Sequence, residues 1–360
     1  FPVAQMPSAN EEMMVVPALP AALIMRVMGL LLVLGLAAGT LAARAEERAP
    51  ARLFARENLV AWCVVPFDAR QRNAEERAAM LERLGLSQLA YDWREEHVPY
   101  FEAEIQALKK HQIAFVAFWG LHEDMFRLFQ VYNIHPHVWL TVPDPGEGTH
   151  EEKMRAAGAM LLDAANRTRA LGCKLGLYNH GGWGGEPATM IDVCAWLRNE
   201  TGSDHIGIVY NLHHGHGHIS DFAACLDAMK PWLLCLNLNG MNTGGEPKIL
   251  PIGQGEHDAR IIRIILDSGY AGPIGILDHR PELDAEISLR QNLEGLDALL
   301  KDISRAPDRH ESPCSAGVSP AVSSSGGLGG HSGPGGRPPR DVAVVHAADA
   351  VCVAEIVRIP

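Results

Sequence analysis

The chain has 360 residues, of which 47% are hydrophobic, and its formal net charge is −12 at pH 7. This apolar content can form a sizeable core, which excludes a wholly disordered chain. The chain is acidic and has no basic stripe, which argues against a nucleic-acid partner. No CxxC pair occurs, so the cysteines indicate small buried residues rather than a disulfide framework or a zinc site. The seven are Cys63, Cys173, Cys194, Cys225, Cys235, Cys314 and Cys352.

The N-terminal part of the sequence contains a pattern typical of export. Residues 1–24 show no usable periodicity and stay unassigned. Arg26 then precedes an apolar run at 27–38, and residues 43–45 form a small-x-small site, so we predict a secretory signal peptide at 25–45. An uncleaved membrane anchor is the alternative, although the run is short for a transmembrane span. We therefore expect a periplasmic or secreted protein with no stable membrane span after cleavage, and a linker at 46–57.

Residues 58–304 repeat a single alternation of strand-like and helical segments. Strands are predicted at 59–65, 88–93, 113–119, 138–142, 174–178, 206–210, 233–238 and 274–277. Helices are predicted at 74–84, 100–111, 123–132, 151–171, 188–200, 220–229, 259–268 and 285–303. Asn73 and Glu76 predict a capping box at the first helix. Four glycines stand just past helix ends, where a left-handed cap needs no Cβ: Gly85, Gly172, Gly202 and Gly269.

Eight βα units in about 247 residues predict an α/β fold with a single (β/α)8 TIM barrel. A doubly wound sheet is disfavoured because its usual Gly-rich phosphate turn after the first strand is missing. Beyond the barrel, residues 312–340 are mostly Gly, Ser and Pro, which cannot bury enough apolar surface to fold. Residues 305–360 are therefore predicted to be a disordered low-complexity tail.

Polar and aromatic residues gather where the predicted strands end, which is where barrel enzymes carry their chemistry. Strands five to eight all end in Asn or His. A single Asn or His there has an ordinary structural explanation, but the joint pattern predicts a pocket for a polar ligand. Aromatic faces suit the C–H surface of a sugar, and amides can both donate to and accept from hydroxyls. The substrate-binding candidates are Trp93, Trp119, Asn179, Trp183, Asn211, His213, Asn237, Asn239 and Arg280.

The motifs at these strand ends carry a family resemblance. They are KLGLYNHGGW at strand five, IGIVYNLHHGH at strand six, LLCLNLNGMN and ILPIGQGEHD after strand seven, and YAGPIGILDH at strand eight. On these motifs, residues 58–304 resemble the xylose isomerase-like TIM barrels, the sugar phosphate isomerase/epimerase superfamily. The turn from Gly253 to Asp258 is the most specific part. The resemblance covers the whole barrel and neither terminus.

This resemblance implies a divalent metal held by Glu, Asp, His and Glu from strands five to eight. The corresponding positions here are Tyr178 or Asn179, Asn211, Asn237 or Asn239, and Asp278, so most of the usual carboxylates are replaced. Neutral amides bind a hard cation weakly because they supply little charge, whereas a His-rich site suits Zn²⁺. A divalent metal (Zn or Mn) therefore stays open. Its candidate ligands are His180, His214, Asp278 and His279.

The chemistry implied is proton abstraction next to a carbonyl, which needs a base and a group that stabilises the enolate oxygen. His214 or His180 is predicted to be the base. Lys248, Arg280 or a metal would stabilise the oxyanion. We therefore predict an exported sugar isomerase/epimerase-like enzyme acting on a free or keto-sugar, with a lyase as a variant of the same half-reaction. The alternative is a non-catalytic carbohydrate-binding barrel, and a nuclease is disfavoured because the multi-zinc ligand set of that branch is missing.

Overall fold

The computed structural model describes residues 52–305, and the unit that contains the barrel begins at Arg56. In the barrel, the strands follow chain order around a closed ring and β8 pairs with β1 in parallel, from Leu59↔Ile274 to Trp62↔Leu277. The strands are β1 (Leu59–Trp62), β2 (Gln88–Tyr91), β3 (Ala114–Trp119), β4 (His137–Thr141), β5 (Lys174–Tyr178), β6 (Ile206–Asn211), β7 (Leu233–Leu238) and β8 (Ile274–Leu277). This confirms the predicted TIM barrel.

One helix of at least eight residues follows each strand in the described part of the chain. These helices are α1 (Ala74–Arg83), α2 (Phe101–Lys110), α3 (Glu123–Tyr132), α4 (His150–Ala170), α5 (Pro187–Thr201), α6 (Phe222–Met229), α7 (Asp258–Asp267) and α8 (Ala285–Arg305). Asn73 and Glu76 form the predicted capping box on α1. Strand β1 is shorter than predicted because Cys63 adopts a φ of 59°, which ends the extended backbone.

Aromatic side chains fill the barrel interior beneath its C-terminal mouth. Trp139 is fully buried, and its ring lies 4.9 Å from that of Trp62 in an edge-on arrangement. Trp119 and Tyr178 pack at 4.8 Å, also edge to face. Such pairs add about 0.5–1.5 kcal/mol each beyond the area they bury. The mouth therefore has a closed aromatic floor, and a ligand that enters it cannot pass through the barrel.

Cysteine placement agrees with the sequence analysis for most of the described residues. Cys63, Cys173, Cys194 and Cys235 are buried free thiols, and only the half-buried Cys225 departs from that pattern among residues 52–305. No helix in this range is long and apolar enough to cross a membrane. Cys314, Cys352, the predicted signal peptide at 25–45 and residues 306–360 lie outside the described residues.

Gly295→Ala is expected to lower the free energy of unfolding by about 1–3 kcal/mol, because overpacking against rigid backbone is destabilising. A Cβ at Gly295 in α8 would lie 1.7 Å from the backbone oxygen of Ile252. Urea unfolding gives the measurement. Gly217→Ala is the matched control, since a Cβ there meets nothing within 4 Å. Equal stability of Gly295→Ala and wild type would contradict the close packing of α8 on the β7–α7 connection.

Candidate functional site

A cavity of 410 Å³ opens at the C-terminal mouth of the barrel. Its walls come from six strands or the loops that follow them, which fits the position of TIM-barrel active sites. The volume falls in the usual range for small-molecule sites. The lining residues are Trp62, Cys63, Pro66, Phe67, Asp92, Arg94, Glu96, Trp119, Tyr178, His180, Asn211, His213, His214, Leu277, His279 and Pro281.

Four histidines form one wall of this cavity and are called the imidazole cluster: His180, His213, His214 and His279. Ring centroids lie 4.5 Å apart for His180 and His214, 4.3 Å for His213 and His214, and 5.3 Å for His213 and His279. Burial is the main cause that lowers the pKa of His213 to about 2, and the positive charge of Lys248 adds to it. Burial, followed by His213, lowers the pKa of His214 well below its ordinary value. Both imidazoles are therefore neutral at pH 7.

Asp92 enters the cavity directly after β2, and the sequence analysis did not include it among the site residues. Its side chain is only 3% exposed. Oδ1 accepts a hydrogen bond from the backbone N–H of Val65 at 3.4 Å, and Oδ2 has no partner among residues 52–305. Burial raises the pKa of this carboxyl to about 6, with Arg94 opposing the rise. Asp92 is therefore a buried carboxyl at the cavity that titrates close to neutral pH and has one oxygen without a hydrogen-bond partner among the described residues.

The ring topology places Asp92 opposite His213 and His214 of the imidazole cluster. Asp92 follows β2, whereas His213 and His214 follow β6, and these strands stand four positions apart in a closed ring of eight. The cavity thus has a carboxyl on one side and neutral imidazoles on the other. One feature of the sequence could have indicated this site residue: Asp92 is an acidic residue that directly follows the apolar strand run ending at Tyr91.

Of the predicted substrate-binding residues, Trp119, Asn211 and His213 line the cavity. Asn179 does not, because its amide is bound to the backbone of Asn211: Nδ2 donates to the carbonyl oxygen at 3.1 Å and Oδ1 accepts from the N–H at 2.6 Å. This pairing joins the ends of β5 and β6. Asn179 therefore supports the site and does not contact the cavity.

The two remaining tryptophans also lie away from the cavity lining. The indole N–H of Trp93 donates to the backbone oxygen of Trp119 at 2.6 Å, so Trp93 braces the end of β3. Trp183 receives the ammonium group of Lys153 over its ring, 4.6 Å from the centroid. Trp93 therefore contacts the cavity-lining residues Trp119 and Arg94 without lining the cavity itself.

Four other predicted residues surround the cavity without lining it. Asn237 is fully buried, and Asn239 donates to the backbone oxygens of Gly240 and Lys248. Arg280 donates to the Ser288 backbone oxygen at 3.0 Å and to Gln291 at 3.0 Å. Lys248 is half-buried, and its charge contributes to lowering the pKa of both His213 and His214. Lys248 therefore acts on the imidazole cluster through space.

Asp278 is fully buried at the end of β8 and lies outside the cavity lining. Its Oδ1 accepts a hydrogen bond from the Ser288 hydroxyl, and the Arg280 Nε lies 4.0 Å away. Burial raises the pKa of Asp278 to about 8, so the carboxyl is mostly protonated at pH 7. This carboxyl is hydrogen-bonded to Ser288 and is not part of the cavity lining.

The donor geometry does not fit a divalent ion at the predicted metal ligands. His180, His214 and His279 reach the cavity, but Asp278 does not. Within residues 52–305, three ligand atoms of His, Cys, Asp or Glu approach within 4.8 Å of one another only at a separate cluster outside the cavity. The positive charge of Lys248 also opposes a cation at this wall. We therefore derive no chemical step through a metal in the cavity.

Asp278→Asn is expected to become more stable relative to wild type as pH rises. Between the ordinary pKa of 3.8 and the folded value of about 8, the folded chain keeps a proton that the unfolded chain releases. The stability that this carboxyl contributes is complete below pH 4 and is lost as pH rises through 8. The difference in unfolding free energy should grow by roughly 2–4 kcal/mol from pH 4 to pH 8.5.

Urea unfolding of both proteins at several pH values in this range measures the effect. Asp163→Asn, at an exposed position on α4, is the control for the substitution itself. A constant difference for Asp278→Asn would show that the carboxyl is already ionised in the folded chain.

Comparison with known proteins gives structural matches only. No family model and no curated protein matches the sequence. Among solved structures, the zinc-containing IolI protein is 13% identical with a TM-score of 0.54, covering 68% of this chain and 99% of its own. A D-tagatose 3-epimerase-like protein is 11% identical with a TM-score of 0.52, covering 68% and 99%.

The 3-keto-D-glucoside 4-epimerase YcjR from E. coli, in its apo form, is 11% identical with a TM-score of 0.50 and covers 68% of this chain and 99% of its own. At these identities the likeness concerns the fold. It agrees with the closed eight-stranded barrel described above, and the predicted (β/α)8 fold is confirmed.

Proposed function

We propose that this protein is a sugar isomerase/epimerase-like enzyme that moves a proton at the carbon next to a carbonyl group. The observation that carries the proposal is a carboxyl with a pKa of about 6, Asp92, placed across a 410 Å³ cavity from neutral imidazoles. A general base works best when its pKa lies near the working pH. The printed names of two structural neighbours, a 3-keto-D-glucoside 4-epimerase and a D-psicose 3-epimerase, support a carbohydrate substrate.

Asp92 suits the role of base better than the imidazoles that the sequence analysis favoured. At pH 7 most of a carboxyl with a pKa of about 6 is ionised, and Oδ2 can accept a proton. His214 is neutral but has its pKa held far below neutral, so a proton gained by its ring would be poorly held. We therefore assign proton abstraction to Asp92.

His214 and its neighbours then serve the other half of the reaction. A neutral imidazole carries one N–H, which can donate a hydrogen bond to a carbonyl oxygen and to the enolate oxygen formed from it. Because burial keeps these rings neutral, each ring can donate a hydrogen bond from its N–H without placing a positive charge in the cavity. Arg94, on the same side of the cavity as Asp92, lowers the pKa of that carboxyl and so favours its ionised form as the base.

The remaining walls suit the body of a sugar. Trp62, Trp119 and Phe67 offer apolar ring surface to C–H groups, and the Tyr178 phenol accepts from the Asn211 amide, which fixes both groups at the cavity. The aromatic floor would contact the C–H groups on one face of a sugar ring. The polar wall would form hydrogen bonds with groups on its other face. This arrangement favours a free sugar or keto-sugar. It supports an isomerase, an epimerase or a lyase equally.

Solvent isotope exchange tests the proposal for an isomerase, an epimerase and a lyase alike, because all three begin with the same proton abstraction. The full chain is incubated with a panel of free ketoses, aldoses and 3-keto-glycosides in D₂O, and deuterium next to the carbonyl is followed by NMR. Enzyme-dependent exchange with at least one sugar is the expected result. Saturable sugar binding without exchange would overturn the enzymatic proposal and favour the carbohydrate-binding barrel.

We also propose that the protein is exported, which rests on the basic, apolar and small-residue pattern at 25–45. The expected mature chain begins at Glu46. N-terminal sequencing of the protein isolated from its native host is the test, and a mature chain that retains residues 25–45 would contradict export by cleavage.

A further inference from the structure

We propose a second site in this protein, a zinc-binding site formed by His218, Asp221 and Cys225 outside the sugar cavity. His218 closes a 3₁₀ turn after β6, Asp221 precedes α6, and Cys225 lies on its first turns. The spacing i, i+3, i+7 puts the three side chains on one face of the turn and helix. None of them lines the cavity.

The distances among the three ligand atoms match those around a tetrahedral zinc ion. His218 Nδ1 lies 3.3 Å from each Asp221 carboxylate oxygen and 3.5 Å from Cys225 Sγ, and Sγ lies 3.6 Å from Asp221 Oδ2. Usual zinc bond lengths at the tetrahedral angle give separations of about 3.3 Å between nitrogen and oxygen and about 3.6 Å between sulfur and either. The three atoms therefore form one face of a coordination tetrahedron.

The contacts between His218 and Asp221 are longer than a usual two-centre hydrogen bond. A hydrogen bond between an imidazole and a carboxylate is usually 2.7–2.9 Å long, as it is between His150 and Asp192 at 2.8 Å. His218 instead stands equally far from both oxygens of Asp221, beyond that range. Equal and longer distances form a three-centre hydrogen bond without an ion, and they are also the distances at which a zinc ion fits between the groups.

The other side of the His218 ring is arranged as it is for many zinc ligands. Nε2 lies 2.9 Å from Glu186 Oε2, at the residue that precedes α5. A carboxylate that accepts the second ring N–H fixes the tautomer, directs the Nδ1 lone pair towards the metal and raises ligand basicity. Glu186 is therefore a positioning residue.

The donor set selects the type of ion. One thiolate, one imidazole and one carboxylate suit zinc, whereas Mg²⁺ and Ca²⁺ prefer oxygen ligands alone. Asp221 is exposed and the other two ligands are half-exposed, so the fourth position is open to water. Bound zinc would fasten the loop after β6 to the start of α6. The same loop carries His213 and His214 of the imidazole cluster.

Cobalt substitution tests the site with a readout that is independent of enzymatic activity. The full chain, without a histidine tag and under reducing conditions, is titrated with Co²⁺ and then with Zn²⁺. We expect one cobalt per chain with a thiolate-to-cobalt charge-transfer band in the near ultraviolet, displaced by zinc. Cys225→Ser should abolish the band and weaken zinc binding about 100-fold or more, and Glu186→Gln should weaken it about 10–100-fold.

His150→Gln is the matched control, since it removes a surface histidine that is paired with a carboxylate but not with a thiol. It should leave the band and the zinc affinity unchanged. Circular dichroism of each variant identifies any that fail to fold, and Asp221→Asn then provides a second ligand substitution. The proposal is overturned if wild type shows no thiolate band, if the band survives in Cys225→Ser, or if Cys225 reacts with an alkylating reagent equally fast with and without zinc.

Discussion

Asp92→Asn is expected to slow proton exchange next to the sugar carbonyl by about 10²–10⁴-fold, the usual contribution of a general base. Asparagine keeps the side-chain volume and an oxygen that can accept from the Val65 N–H, so the cavity wall should stay in place. Sugar binding should therefore change little, and the loss should appear in kcat. Asp144→Asn is the matched control: Asp144 follows β4, is half-exposed and pairs with Lys153 at 2.7 Å.

The pH profile separates this role from a structural one. Because burial raises the pKa of Asp92 to about 6, wild-type kcat/KM should rise with pH up to that value and then level off. The rise should vanish in Asp92→Asn and persist in Asp144→Asn. A variant that keeps both the rate and the rise would remove Asp92 from the mechanism.

His214→Gln distinguishes the two candidate bases within the same assay. Glutamine can still donate a hydrogen bond but cannot accept a proton at neutral pH. If His214 supplies an N–H to the carbonyl oxygen, the variant should keep part of its activity and the pH dependence of Asp92. Complete loss together with loss of the pH dependence would return the role of base to His214.

Much of the barrel could be predicted from the sequence because local chemistry determined it. Apolar runs marked the strands, and the capping residues marked the first helix, where Asn73 accepts from the Glu76 N–H at 3.0 Å. Glycines past helix ends adopt positive φ, as with Gly172 at 68°. These features depend on a few neighbouring residues, so a single sequence carries them.

The direction of individual strand-end side chains could not be predicted in the same way. Asn237 was a substrate-binding candidate, yet its Oδ1 occupies the space over Gly275 of the neighbouring strand, where a Cβ would come within 1.8 Å. Asn179 is likewise used by the backbone of Asn211. Both outcomes depend on strand register across the ring, which motif spacing does not contain.

Asp92 was missed for a related reason. Its position after a strand could be seen, but a raised pKa results from burial among residues that are distant in sequence, including the loop at Val65. The predicted catalytic and metal-binding residues were limited to strands five to eight, because the resemblance implied carboxylates there. The cavity carboxyl of Asp92 follows β2 instead.

Arg77→Met is expected to lower the free energy of unfolding by about 3–5 kcal/mol, because it leaves the buried carboxylate of Glu104 without its partner. Arg77 in α1 and Glu104 in α2 are separated by 2.5 Å, with side chains 4% and 1% exposed. A second guanidinium nitrogen donates to the Arg72 backbone oxygen at 2.7 Å. Burial already raises the pKa of Glu104, and Arg77 opposes that rise.

Loss of Arg77 therefore raises the pKa of Glu104 further, and the folded variant holds a proton that the unfolded chain releases. Its stability is highest below the ordinary pKa of 4.5 and falls as pH rises, so the deficit against wild type should be larger at pH 8 than at pH 5. The double variant Arg77→Met/Glu104→Leu removes both charges and should recover most of the loss. A double variant as unstable as Arg77→Met would show that packing, and not the unpaired charge, causes the deficit.

The double variant also links this ion pair to the site. Arg77 is one of the positive charges that oppose the rise in the pKa of Asp92, after burial and Arg94. With Arg77 removed and the fold restored, the pKa of Asp92 should rise slightly. The pH at which kcat/KM levels off should then move upward in the double variant while its plateau rate stays close to that of wild type. An unchanged profile would show that Arg77 contributes to stability alone.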